Sequence, residues 1–269
     1  MKPFNYILLF YFVAFTSYMN ASSPNDLIPI HDTFSIKSEI IGENRVINVW
    51  TPNDYNINSD SLPVMYMADG GIKEDFPHVA NTLDELIKQK KIKPLILVGI
   101  ENTQRRRDLT GFTEVEEDKE IAPIVGGSDK FRIFIKEELF PEIDSRYRTT
   151  DKRSIIGESL SGLFVLETFF LAPEMFNNYI AFDPSLWWNN NYLITTAKKN
   201  LKTFPLSEKR IWFAGSNTTE ISDLTKKLAE ILKTESKATL RWYYSDEPQE
   251  THATIFRATK EKALIWAFE

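Results

Sequence analysis

The chain has no cysteine. That excludes disulfides, a thiol nucleophile, thiolate metal sites and a lipid-modified cysteine at a processing site. A chain of 269 residues can do without such staples, because its length supports a sizeable packed core. Histidine is scarce: only His31, His78 and His252 are present, so any imidazole chemistry falls to one of three positions. Positive charge is in deficit, and the net charge of −6 speaks against general binding to a phosphate backbone. A local basic patch can still draw in a small anion. Long apolar runs are confined to the N-terminus, and no later segment is apolar enough to cross a bilayer. The 10 glycines and 13 prolines are scattered, so no linker, repeat or low-complexity tract divides the rest.

At the N-terminus, Lys2 precedes an apolar run over residues 7–15, and small residues follow at Ala21, Ser22 and Ser23. That layout predicts a secretory signal peptide over residues 1–22. The run is shorter than the roughly 20 residues a membrane span needs, with a retained anchor as the alternative. The expectation is one domain over residues 23–269, periplasmic or secreted. It would have no stable membrane insertion after cleavage and no nucleic-acid partner.

Residues 33–40 and 45–51 read as a hairpin around Gly42-Glu43-Asn44. Short apolar strands follow at 63–68, 94–100, 153–156, 179–182, 210–214 and 239–244. Helical spacing appears at 79–88, 131–143, 160–171 and 253–268. Strands that are apolar on both faces and alternate with helices predict an α/β fold: a mainly parallel central sheet, an N-terminal antiparallel hairpin and helices on both faces. Ligands of such a sheet bind beyond the carboxyl ends of its strands. The loops at 69–75, 101–112, 157–162, 183–190, 215–222 and 245–252 therefore border the expected cleft.

The third core strand runs into Gly157-Glu158-Ser159-Leu160-Ser161-Gly162 and then an apolar helix. A serine between small residues at a strand-to-helix turn is the layout of a nucleophile elbow, although a turn serine of no chemical consequence is also open. A serine hydroxyl needs a base. His31 lies before the first strand, and His78, at the start of the first long helix, reads as a solvent or capping residue. His252 follows the last strand, where the order serine, acid, histidine puts the base. For the acid, Glu220 in the loop after the strand at 210–214 is preferred over Asp223, whose carboxylate would also suit a helix N-terminus. Glu250, or a working pair without any carboxylate, remains open. The oxyanion would be held by the amide of Leu160 and by the first loop, where Gly70-Gly71 permits close backbone approach. The same pair could serve only as a turn.

The segments MYMADGG, VGIENTQRRRDLT, FIKEELFPEIDSRYRT, RSIIGESLSGLFVLET and DPSLWWNN occur in an order that resembles the putative-esterase family of α/β-hydrolases. The likeness runs from about residue 33 to the end. It implies an α/β-hydrolase fold and ester hydrolysis through a serine acyl-enzyme on a small-molecule ester, with no metal or organic cofactor. Carried over, Ser159 is the nucleophile, His252 the base and Leu160 an oxyanion amide. Ser161 stands where glycine is commoner in the family. GESLSGLFV and PSLWW resemble the siderophore-esterase-like branch most, with short acyl or feruloyl esters as other substrates.

Two features border the cleft. Arg105-Arg106-Arg107 would grip an anionic substrate, with Arg105 and Arg107 as candidates, or brace the loop through Asp108. Trp187-Trp188 would wall an acyl group or ring, or pack beneath the loop. Besides an exported serine esterase, the sequence admits a non-catalytic binding protein on the hydrolase fold, and an acyltransferase or thioesterase using the same acyl-enzyme.

Overall fold

The computed structural model describes residues 26–269. The expected signal peptide lies outside the described residues. Among them, the strands are β1 (Asp32–Lys37), β2 (Asn44–Trp50), β3 (Leu62–Met67), β4 (Ile96–Ile100), β5 (Thr149–Glu158), β6 (Asn178–Phe182), β7 (Lys209–Gly215) and β8 (Leu240–Asp246). The helices are α1 (Phe76–Lys88), α2 (Arg105–Leu109), α3 (Glu116–Ile121), α4 (Ser128–Phe134), α5 (Phe140–Arg146), α6 (Leu160–Leu171), α7 (Trp188–Lys202), α8 (Thr219–Glu235) and α9 (Ile255–Phe268). None of these helices is long and apolar enough to cross a membrane.

The eight strands form one sheet in the order β1-β2-β4-β3-β5-β6-β7-β8. β1 and β2 make the expected antiparallel hairpin, β2 joins β4 antiparallel, and every later pairing is parallel. The inner strands are apolar throughout because alternate side chains enter two cores. Val64, Tyr66, Val98, Ile155, Tyr179 and Phe213 enter the core covered by α4, α6, α7 and α8. Met65, Met67, Leu97, Ile156, Phe182 and Trp212 enter the other, under α1 and α9. Helix α6 is buried along nearly its whole length, which explains why its sequence is apolar on all sides. The sheet order turns away in opposite directions on either side of β3 and β5. Their carboxyl ends therefore flank the crevice where an open sheet receives its ligand.

Besides shifts of a few residues at element ends, such as β1 ending at Lys37 rather than 40, the structure departs from expectation in three places. β5 begins at Thr149 rather than 153, because its first turn of strand is exposed and lacks an apolar pattern. The helix expected over 131–143 spans 128–146 and contains a wide π-turn at Ile135–Leu139. Pro141 follows within the first turn of α5, and a wider turn relieves the missing proline N–H and its ring clash. The loop expected over 101–112 is partly helical, as α2, and a further short helix, α3, follows it.

Candidate active site

Ser159 sits between the last residue of β5 and the first of α6, with φ 59° and ψ −120°. This is a strained conformation for any residue with a side chain. Close packing imposes it. A Cβ at Gly157 would lie 2.3 Å from Ser161 Oγ, and one at Gly162 would lie 3.0 Å from Phe182 O. Ser161 itself is buried against Gly157, its hydroxyl without a hydrogen-bond partner among the described residues. The serine in place of a second glycine is therefore accommodated by its small size. The elbow is pinned by Ser159 N–H donating to Phe182 O at 3.0 Å, and by Leu163 N–H and Ser185 N–H donating to Ser159 O at 2.8 and 3.1 Å.

His252 lies in the turn between β8 and α9. Its Nε2 is 3.1 Å from Ser159 Oγ and its Nδ1 is 3.0 Å from Asp183 Oδ2. The acid expectation is corrected here. Glu220 is exposed in the first turn of α8 and Asp223 is exposed one turn later, while Glu250 contributes its main-chain carbonyl to Asn217 N–H. Among the described residues, the carboxylate on His252 is that of Asp183. It lies at the first position after β6, and β6 pairs with β5 in the register Glu158↔Phe182, so Asp183 stands level with Ser159. Asp183 is fully buried, and Ser216 N–H and Ser216 Oγ each donate to its carboxylate at 2.6 Å. An acceptor on Nδ1 fixes the proton there and leaves the Nε2 lone pair to take the proton of Ser159. The sequence signal for Asp183 was available: it opens the 183–190 loop, within DPSLWW. What was missing was the lateral strand order.

The other two histidines stand apart. His31 Nδ1 meets Pro29 O at 2.7 Å. His78 is buried rather than solvated, with Nε2 3.0 Å from Asp75 Oδ1 and its ring edge-on to Phe256. Burial lowers its pKa, with Asp75 pulling the other way.

The oxyanion expectation divides. Leu160 opens α6, so its N–H has no carbonyl within the helix and lies directly beside Ser159. Gly70 does not offer its amide: the N–H donates to Ile100 O at 3.0 Å. A Cβ there would lie 2.3 Å from Gly99 Cα, so the glycine serves passage beside β4. Gly71 N–H donates to Glu74 Oε2 at 2.7 Å.

The substrate-binding expectations are also revised. Arg107 is braced by Glu43 and by Asp108, which in turn holds Arg45 at 2.5 Å. The Arg107 contact brings the Glu43 pKa down to about 2. Arg105 is committed to Asp69, with Nε to Oδ1 at 2.5 Å and a terminal nitrogen to Oδ2 at 2.8 Å. Burial opposes the Arg105 charge, but Asp69 outweighs it and the pKa is raised. Trp188 is a core residue whose Nε1–H donates to Gly111 O at 3.1 Å. Trp187 is half-buried against the same core. Beneath Ser159, the Glu158 carboxyl is buried, and its pKa is pushed well above the usual range by burial and then by Asp75, Asp183 and Asp69.

Fold and site define an ester-hydrolysing enzyme of the α/β-hydrolase class. The family model described as Putative esterase matches residues 38–268, and the chain belongs to that family. Ferri-bacillibactin esterase BesA of Bacillus subtilis (strain 168) is 27% identical over 232 residues, covering 76% of this chain and 78% of its own. A siderophore enterobactin esterase of Emericella nidulans is 35% identical over 77 residues, covering 28% of this chain and 25% of its own. Among solved structures, an IroE-like serine hydrolase from Shewanella oneidensis superposes with a TM-score of 0.82 at 25% identity. That match covers 89% of this chain and 80% of the other.

Proposed function

We propose that the protein is an exported serine esterase that cleaves a siderophore-type ester or lactone through an acyl-enzyme. The observation that carries this reading is the single imidazole bridging Ser159 Oγ at 3.1 Å and Asp183 Oδ2 at 3.0 Å. His252 takes the proton of Ser159 as Oγ attacks the ester carbonyl, and Asp183 stabilises the imidazolium that forms. The oxyanion is held by Leu160 N–H and by Gly71 N–H from the facing loop. His252 then protonates the departing alcohol, and a water repeats the sequence to free Ser159 and release the acid. No cofactor enters any step.

The substrate class is supported by two relatives, a ferri-bacillibactin esterase and a siderophore enterobactin esterase. Export is supported by the layout of residues 1–22. The test is Ser159→Ala, assayed with p-nitrophenyl butyrate and with a panel of ferric and iron-free siderophore lactones, feruloyl sugars and short acyl esters. Hydrolysis is expected to vanish in the variant while its fold persists, and a siderophore lactone is expected to be the best wild-type substrate. Undiminished turnover by the variant overturns the mechanism. A feruloyl sugar leading the panel overturns the substrate class.

A further inference from the structure

The Gly71 amide is already engaged. Its N–H donates to Glu74 Oε2 at 2.7 Å, within a turn closed by Glu74 N–H on Gly71 O at 2.9 Å. The other carboxylate oxygen, Oε1, accepts from Asn102 Nδ2 at 2.9 Å, and the same nitrogen reaches Asp69 Oδ1 at 2.6 Å. Asp69 is gripped in turn by Arg105. Glu74 is thus held in a cradle rather than waving on the surface. It is also partly withdrawn from water, since burial raises its pKa and Asp69 adds repulsion.

Parallel pairing of β3 with β5 sets Met67 against Ile156. The chain leaving Asp69 therefore runs level with Glu158 and Ser159, across the crevice. An N–H that donates to a carboxylate oxygen at 2.7 Å meets the same requirement as one that binds a tetrahedral oxyanion, because both partners are anionic oxygens with the same preferred distance.

We propose that Glu74 is the resident occupant of the oxyanion site: its carboxylate holds the Gly71 N–H in the resting enzyme and yields it to the acyl oxygen of the substrate. This rests on the reading of Ser159 as the nucleophile. The consequence is selectivity by size. A large ester with many remote contacts offsets the displacement of Glu74, whereas a short acyl ester has little binding energy to do so. Glu74 is in this sense a specificity-determining residue.

The experiment compares wild type, Glu74→Gln and Glu74→Ala in kcat/KM for p-nitrophenyl acetate and in inhibition by phenylboronic acid, whose tetrahedral adduct puts an oxygen in the oxyanion position. Glu74→Ala is expected to raise kcat/KM and tighten boronate binding by about tenfold, the scale of a hydrogen bond to a charged group. Glu74→Gln keeps the shape but loses the charge, and should fall between. It also serves should the alanine variant fold poorly. Labelling of Ser159 by a fluorophosphonate is followed in parallel. If Ser159 labels normally but neither variant binds boronate more tightly, the role of Glu74 is overturned alone. If Ser159 does not label in the wild type, the serine mechanism itself fails.

Discussion

Asp183 and His252 are 69 residues apart in sequence, yet Asp183 Oδ2 lies 3.0 Å from His252 Nδ1. The carboxylate is fully buried, while the imidazole is 38% exposed. This asymmetry anchors the imidazole through Nδ1 and leaves the rest of the ring partly open to solvent. Ser216 completes the arrangement, since its N–H and its hydroxyl both donate to the same carboxylate.

Asp183→Asn should therefore cripple the site. An amide cannot satisfy both Ser216 and His252 as the carboxylate does, and it permits the wrong imidazole tautomer. We expect kcat for p-nitrophenyl butyrate to fall by on the order of 10⁴. Glu220→Gln is expected to leave it within about twofold, as the residue is exposed on α8. Steady-state kinetics on the two variants decides the identity of the acid, and a reversed ranking would restore Glu220.

Gly157→Ala tests the elbow. The new Cβ would stand 2.3 Å from Ser161 Oγ and 2.7 Å from the Ser161 carbonyl carbon. Overpacking of this kind costs about 1–3 kcal/mol. Urea unfolding should show that loss. Adding Ser161→Gly should recover only part of it, since the backbone clash persists.

Arg107→Ala separates bracing from substrate binding. Its contact with Glu43 holds α2 to the hairpin, while Asp108 positions the guanidinium from within α2, so roughly 1–3 kcal/mol of stability should be lost. KM is expected to stay the same. A raised KM with an unchanged unfolding curve would return Arg107 to the substrate.

Trp188→Phe removes the N–H that satisfies Gly111 O. The expected loss is about 1 kcal/mol, or a fall in Tm of roughly 2–4 °C. Scanning calorimetry measures it directly. An unchanged Tm would show that the indole hydrogen bond contributes nothing to holding the 111 loop.

Glu158→Gln carries a pH signature. Burial and the neighbouring Asp75, Asp183 and Asp69 raise the Glu158 pKa above its unfolded value. The native state then binds more protons than the unfolded one, so stability falls as pH rises from the ordinary glutamate range through the shifted value. Glutamine removes this dependence. The Tm difference between variant and wild type should shift in favour of the variant as pH increases from about 4.5. A difference that is flat with pH contradicts the raised pKa.

The readable parts of this chain were those governed by local chemistry. Apolar runs such as Ile96–Ile100 mark inner strands because both of their faces are buried. The Gly157–Gly162 stretch marks a tight turn because a side chain at either end would clash. His252 was reached through scarcity, since only three histidines exist. The exposed start of β5 and the buried state of His78 escaped because solvent exposure depends on what packs above a residue.

The sequence by itself determined which residue types were available, the alternation of strand and helix, and the turn on which Ser159 stands. Tertiary structure alone decided which acid meets His252, which carbonyl takes the Gly70 amide and what the arginines hold. The Asp183–His252, Arg105–Asp69 and Arg107–Glu43 contacts join segments far apart in the chain. They depend on the lateral order of parallel strands and on their register, and no local periodicity encodes either.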